Sequence, residues 1–114
     1  MYNKIQTAIK FMEENLHRKL LLRDIAQHVN YSTSHLRHVF KAEIGLSPTQ
    51  YLKLLRMQKA KVLAENSWLS IKEIMAEIGI NDESHFVRDF KKTFGLSPTQ
   101  YRAHHAANSS DEAV

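Results

Sequence analysis

At 114 residues and 13.2 kDa the chain has room for one compact domain or two very small ones. Apolar side chains make up 43%, enough for a core, and the absence of cysteine excludes disulfides, thiolate metal sites and cysteine nucleophiles. The formal charge of +4 is a mild polyanion signal, and the longest apolar run, Leu20-Leu21-Leu22, is far too short to span a membrane.

No stretch alternates apolar and polar residues in the manner of a strand, so the chain reads as all-α. Asn3 and Gln6 predict the start of a first helix, with Ile5, Ala8, Ile9, Met12 and Leu16 on one face. Leu22, Ile25, Ala26 and Val29 predict a short amphipathic helix, after which Asn30-Tyr31 turns the chain. Ser32 caps a helix of about eleven residues, with Leu36, Phe40 and Ile44 facing inward.

Gly45 fits the left-handed position that closes a helix. Ser47 is then the next N-cap, Pro48 the first helical residue and Gln50 the far member of a capping box, with Leu46 and Tyr51 forming a hydrophobic staple. A long helix runs from Pro48 to about Ala64, carrying Leu52, Leu55, Ala60 and Leu63. Ser70 and Glu73 form another capping box, opening a helix that buries Ile71, Ile74 and Ile78. Gly79 turns the chain, Asn81 or Asp82 caps a helix built on Phe86, Phe90 and Phe94, and a last short helix starts at Pro98. From His104 onward the tail lacks periodicity and is expected to be disordered.

One unit is used twice. Gly45-Leu46-Ser47-Pro48-Thr49-Gln50-Tyr51 recurs unchanged as Gly95-Leu96-Ser97-Pro98-Thr99-Gln100-Tyr101, fifty residues later. The match extends back through Ser34-His35 and Phe40-Lys41 to Ser84-His85 and Phe90-Lys91. Charge is not shared equally. Residues 1–64 hold eleven Lys/Arg and four Asp/Glu, residues 65–114 five and eight. The first part therefore supplies most of the attraction to an anionic partner.

Each repeat holds a short helix, a turn and a second helix with a polar outer face, the helix-turn-helix arrangement. The second helix of such a pair fits the DNA major groove while the first braces it. Thr33, Ser34, Arg37, His38 and Lys41 lie on the outer face in the first repeat, and Glu83, Ser84, Val87, Arg88 and Lys91 in the second.

The pattern Ile25-Ala26, Tyr31-Ser32, Ser34-His35-Leu36, Phe40-Lys41, Gly45-Leu46-Ser47-Pro48, Tyr51, Arg56, Ala60, Ile71, Glu73-Ile74, Gly79, Ser84-His85-Phe86, Arg88, Phe90-Lys91, Phe94-Gly95, Ser97-Pro98, Tyr101-Arg102 resembles the DNA-binding domain of AraC/XylS-type bacterial transcription regulators. The resemblance covers about residues 3–103. It implies seven helices forming two homeodomain-like helix-turn-helix subdomains joined by a long linker helix. Their extents would be 1–47, 48–64 for the linker and 65–103, with a tail over 104–114 and recognition helices at about 33–44 and 82–94. Three positions depart from the family pattern: Asn30 replaces a turn glycine, Met75 a small residue, and Ile80 an aromatic.

Family base-reading positions map onto Ser34, Arg37 and His38, and onto Glu83, Ser84, Val87 and Arg88. Arg37 and Arg88 suit bidentate contact with guanine, worth about 1–3 kcal/mol of discrimination each. His38 can donate to a base or a phosphate, and Val87 can touch a thymine methyl or pack at the rim. Glu83 can accept from cytosine or repel wrong sites. Backbone contacts are expected from Ser32, from the helix starts at Ser47, Thr49, Gln50, Thr99 and Gln100, and from Lys41, Lys91 and Lys92. Arg56 and Arg102 suit an ion pair or a phosphate equally.

A linker of about 17 residues spans roughly 25 Å. With the half-widths of the two units added, the recognition helices would stand about one DNA turn apart, roughly 34 Å. A tandem pair in one chain should then read an asymmetric site as a monomer, the basic first unit anchoring and the second tuning.

Seven histidines invite a metal reading, but no third ligand stands beside His35 and His38, and neither a metal nor a cofactor is expected. Asp82, Ser84 and His85 are near neighbours on one helix and do not make a triad, so no enzyme is expected. The partners implied are double-stranded DNA, RNA polymerase and an effector-binding or dimerisation domain beyond this chain, which is either a standalone member or a fragment. Cytoplasmic residence, on the nucleoid when bound, is the matching expectation, with no membrane partner. The alternative is a protein-interaction module on the same scaffold with little DNA affinity.

Overall fold

The computed structural model describes residues 3–112, and among them are seven helices and no strand. The helices are α1 (Lys4–Glu14), α2 (Leu22–His28), α3 (Thr33–Ile44), α4 (Pro48–Asn66), α5 (Ile71–Glu77), α6 (Glu83–Phe94) and α7 (Pro98–Glu112). Backbone contacts divide the chain into two units that meet in sequence at Arg56 and Met57, partway along α4.

In the first unit the α1 capping box forms as the sequence predicts. The Gln6 N–H donates to Asn3 Oδ1 at 2.8 Å and the Asn3 N–H to Gln6 Oε1 at 3.3 Å. Ile5, Ala8 and Met12 from α1, Ile25 and Ala26 from α2, Leu36 and Phe40 from α3 and Leu52 from α4 share one core, joined by Leu16, Leu20 and Val29. Each such burial stabilises the fold by about 1.5–3 kcal/mol for the larger side chains. After α2 the Tyr31 N–H donates to the Ala26 carbonyl at 2.9 Å, with Asn30 left-handed at φ 60°. Asparagine therefore does here what glycine does elsewhere.

The second unit repeats the plan around Met57, Ala60, Ala64, Ile74, Met75, Ile78, Phe86 and Phe90. Ile71 and Phe94 are only half-buried against it, as Ile44 is in the first unit. The Ile80 N–H donates to the Met75 carbonyl at 3.0 Å, and Gly79 takes the left-handed turn at φ 72°. The two departures in this unit are absorbed. Met75 is 6% exposed within the core and Ile80 packs against it. An unbranched thioether can fit an irregular gap where a small residue would otherwise sit.

Both repeated joints adopt the geometry their sequence dictates. Gly45 and Gly95 are left-handed at φ 88° and 85°. Ser47 and Gln50 exchange bonds of 3.0 and 3.1 Å, Ser97 and Gln100 of 3.0 and 3.2 Å. Pro48 and Pro98, missing the N–H that a first helical position leaves unbonded, are fully buried.

The C-terminus corrects the expectation of disorder from His104: α7 continues to Glu112, and the last two residues lie outside the described residues. Periodicity is the wrong criterion there. No glycine or proline follows Pro98, and Ala103 and Ala106 favour helix without an apolar stripe. The Tyr101 hydroxyl donates to the Glu65 carboxylate of α4. Partial burial, then that bond and the Glu65 charge, push Tyr101 up to about 12, so its phenol stays protonated.

Candidate nucleic-acid interface

In the first unit, α3 begins with the Ser32 hydroxyl accepting the His35 N–H at 3.1 Å. Leu36 and Phe40 anchor the inner face, so the residues between them turn outward. Ser34, Arg37, His38 and Lys41 are exposed and follow the i, i+3, i+4 spacing of a single stripe. They line a shallow groove of about 740 Å³ with Ala42, and its far wall is Ser47 and Gln50 at the start of α4. All three base-reading candidates of this unit thus share one concavity with three backbone-contact candidates. Ala42 was not singled out by sequence; its only signal is its place one turn beyond His38.

At the α4 corner the Gln50 N–H is bonded to Ser47 Oγ and the Tyr51 N–H to the Ser47 carbonyl. Pro48 has no N–H, which leaves Thr49 as the open backbone donor at the corner. Its side chain is exposed. The α7 corner repeats this at Thr99, with Gln100 bonded to Ser97 Oγ and Tyr101 to the Ser97 carbonyl.

In the second unit Asp82, not Asn81, caps α6, accepting the His85 N–H at 3.0 Å. Glu83, Ser84, Arg88, Lys91 and Lys92 are exposed, and Val87 is half-buried. His85 Nε2 lies 3.1 Å from the Asp89 carboxylate. The matching His35 instead packs edge-on against Tyr31, ring centroids 4.5 Å apart. The shared histidine slot therefore serves two different contacts, with Tyr31 in one unit and Asp89 in the other, where the matching positions hold Asn81 and Val39.

Within the fold Arg56 and Arg102 bond to main-chain carbonyls and not to a carboxylate. Arg56 Nη2 donates to the Arg18 carbonyl at 2.9 Å, and Arg102 Nε to the Ala64 carbonyl at 3.2 Å. Each ties α4 or α7 to backbone inside its own unit. Partial burial lowers the Arg56 pKa, yet a guanidinium stays charged at any physiological pH. The sequence carries no signal for such carbonyl partners.

Among the described residues no helix is long and apolar enough to cross a membrane, and no group of three His, Asp or Glu is placed to hold a metal ion.

Two helix-turn-helix units, each with an exposed polar recognition helix, define the class: a DNA-binding domain of a transcription regulator. A helix-turn-helix domain family matches residues 25–104, and the chain belongs to the AraC/XylS-type regulators. It is 34% identical over 105 residues to the lactose operon transcription activator of Staphylococcus xylosus, covering 92% of this chain and 38% of that protein. The chain spans well under half the length of the curated relatives it matches.

Among solved structures, an AraC-type DNA-binding-domain regulator from Chromobacterium violaceum superposes with a TM-score of 0.84 at 31% identity, over 90% of this chain and 86% of that one. The DNA-binding domain of AdpA, solved with a target DNA, superposes with a TM-score of 0.88 over 94% of this chain and 96% of that one. At 24% identity that likeness shows the fold alone.

Proposed function

We propose that the chain binds double-stranded DNA sequence-specifically to regulate transcription, with α3 and α6 entering successive major grooves of an asymmetric site. The observation that carries this reading is the groove on the first unit, where Ser34, Arg37, His38 and Lys41 face the α4 corner at Ser47 and Gln50. Base-reading groups and backbone-gripping groups must stand together in this way if a helix is to be held in register while it reads.

In this reading Arg37 and Arg88 take guanines, while Ser34, His38, Glu83, Ser84 and Val87 fill the remaining base positions. Phosphates are held by the Thr49 and Thr99 N–H groups, by the Ser32, Ser47, Gln50 and Gln100 side chains, and by Lys41, Lys91 and Lys92. The first unit anchors and the second tunes, because acidic Asp82, Glu83 and Asp89 offset the cations of α6. RNA polymerase, and an effector-binding or dimerisation domain outside this chain, are the further partners in this reading, with residence in the cytoplasm. It includes no catalysis.

Selection of bound duplexes from a random pool at low ionic strength tests the proposal. The expected product is one non-palindromic consensus with two blocks about one turn apart, 10–10.5 base pairs. Its affinity should fall steeply with salt as counterions are released. An unenriched pool overturns the proposal and leaves the protein-interaction alternative.

A further inference from the structure

Trp68, the sole tryptophan, lies in the loop between α4 and α5 and is 102% exposed. An indole left wholly in water on a small domain is unusual, because its apolar surface is the largest any side chain offers. Beside it is a cleft of about 450 Å³ within the second unit, walled by Ala64, Glu65 and Asn66 at the end of α4 and by Arg102 and His105 from α7. The volume is in the range of small-molecule sites, roughly 300–1,000 Å³.

Arg102 gives this cleft a polarity. Its Nε is bonded to the Ala64 carbonyl, but its Nη2 is buried and has no acceptor. Buried donors are rarely left in that state. Glu65, the acid in the same wall, is already engaged: it accepts the Tyr101 hydroxyl and lies 3.8 Å from Lys61 Nζ. One unmet cationic donor beside an engaged acid favours a singly charged anion over a dianion such as phosphate. The free indole face favours a flat apolar body.

We propose that this cleft binds a small aromatic carboxylate, its ring stacked on Trp68 and its carboxylate accepting from the Arg102 guanidinium. A carboxylate matches the planar guanidinium fork, and a small turn of the Arg102 side chain, opening its buried Nη2 to the cleft, lets it supply the missing acceptor. The inference does not depend on DNA binding, since none of these residues is among the base-reading candidates on α3 and α6.

A single tryptophan yields a single indole N–H signal, so a ¹H–¹⁵N correlation spectrum of the full chain reads the site directly. 1-Naphthylacetate, its uncharged primary amide and inorganic phosphate are titrated in parallel. The acid should shift the indole signal saturably, at a Kd at least about tenfold below that of the amide, equivalent to about 1.4 kcal/mol. Phosphate should leave the signal in place. Arg102→Gln should abolish the preference for acid over amide, and Trp68→Ala should weaken the acid about tenfold, read at the Arg102 Nε signal. Absence of saturation, equal binding of acid and amide, or a phosphate shift as large as the acid's overturns the proposal. Should Arg102→Gln fail to fold, the acid–amide pair on the unaltered chain and Trp68→Ala, which removes only an exposed side chain, still decide it.

Discussion

The two helix-turn-helix units are built on one plan and present different faces. The joints Gly45–Tyr51 and Gly95–Tyr101 are identical because backbone chemistry dictates them: a left-handed closure, a hydroxyl cap, a proline and a returning glutamine. The helices α3 and α6 share the buried Phe40 and Phe90 and, on the outside, Ser34-His35 with Ser84-His85 and Lys41 with Lys91. Outside, Thr33, Arg37, His38, Val39 and Ala42 face Glu83, Val87, Arg88, Asp89 and Lys92 at matching positions. The turns differ too. One residue separates Asn30 from its cap at Ser32, and two separate Gly79 from Asp82. A unit of this kind can thus exchange much of its outer face while its frame stays fixed.

The largest effect that probes this comparison is on the frame itself. Phe40 and Phe90 are both fully buried, and Phe40→Ala and Phe90→Ala should each destabilise by about 3–5 kcal/mol in denaturant melts. A markedly smaller loss for one would show that its core relaxes around the cavity and that the frames are not equivalent.

Affinity sharpens the contrast of faces. Arg37→Ala should weaken binding to the selected duplex by close to 3 kcal/mol and Arg88→Ala by close to 1 kcal/mol, the two ends of the range for one bidentate contact. Equal or reversed losses in titrations would break the division into anchor and tuner. Next in size is the salt dependence. Lys41→Gln should flatten the slope of log K against log salt by about 0.9, one phosphate contact, and Lys91→Gln by less.

The smallest effect belongs to the frame of the second unit. The Glu73 pKa is lowered by the Ser70 backbone N–H and then its hydroxyl. A lowered folded value means that its contribution is complete above the ordinary 4.5 and disappears as pH falls through the folded value. The Tm difference between the unaltered chain and Glu73→Gln should therefore shrink on acidification, by a small amount because the side chain is exposed. A constant difference from neutral pH to below 4.5 would show that the cap does not depend on charge.

The caps and the core of each unit were legible because single residues decide them. Asn3, Ser32, Ser47, Ser70 and Ser97 each cap the helix that the sequence assigns them, and Phe86 and Phe90 occupy the core. What was not legible depends on tertiary context. Along α4 the apolar stripe breaks where the helix leaves one core for the other. Leu52 was evident, whereas Met57 and Ala64 were missed and Leu55 and Leu63 proved only half-buried. The outward placing of Ser34, Arg37, His38, Lys41, Glu83, Ser84, Arg88 and Lys91 followed from helical spacing. The Arg56 and Arg102 bonds to carbonyls did not, since a main-chain acceptor 38 residues away leaves no trace in the sequence.

The lone indole in open water has a practical consequence at the bench. Unfolding moves it from solvent to solvent, so its emission should barely change across a denaturation curve that far-ultraviolet dichroism reports in full. A flat fluorescence trace from this domain would therefore be no sign of resistance to denaturant. Any blue shift would instead signal that something has come to rest on the ring.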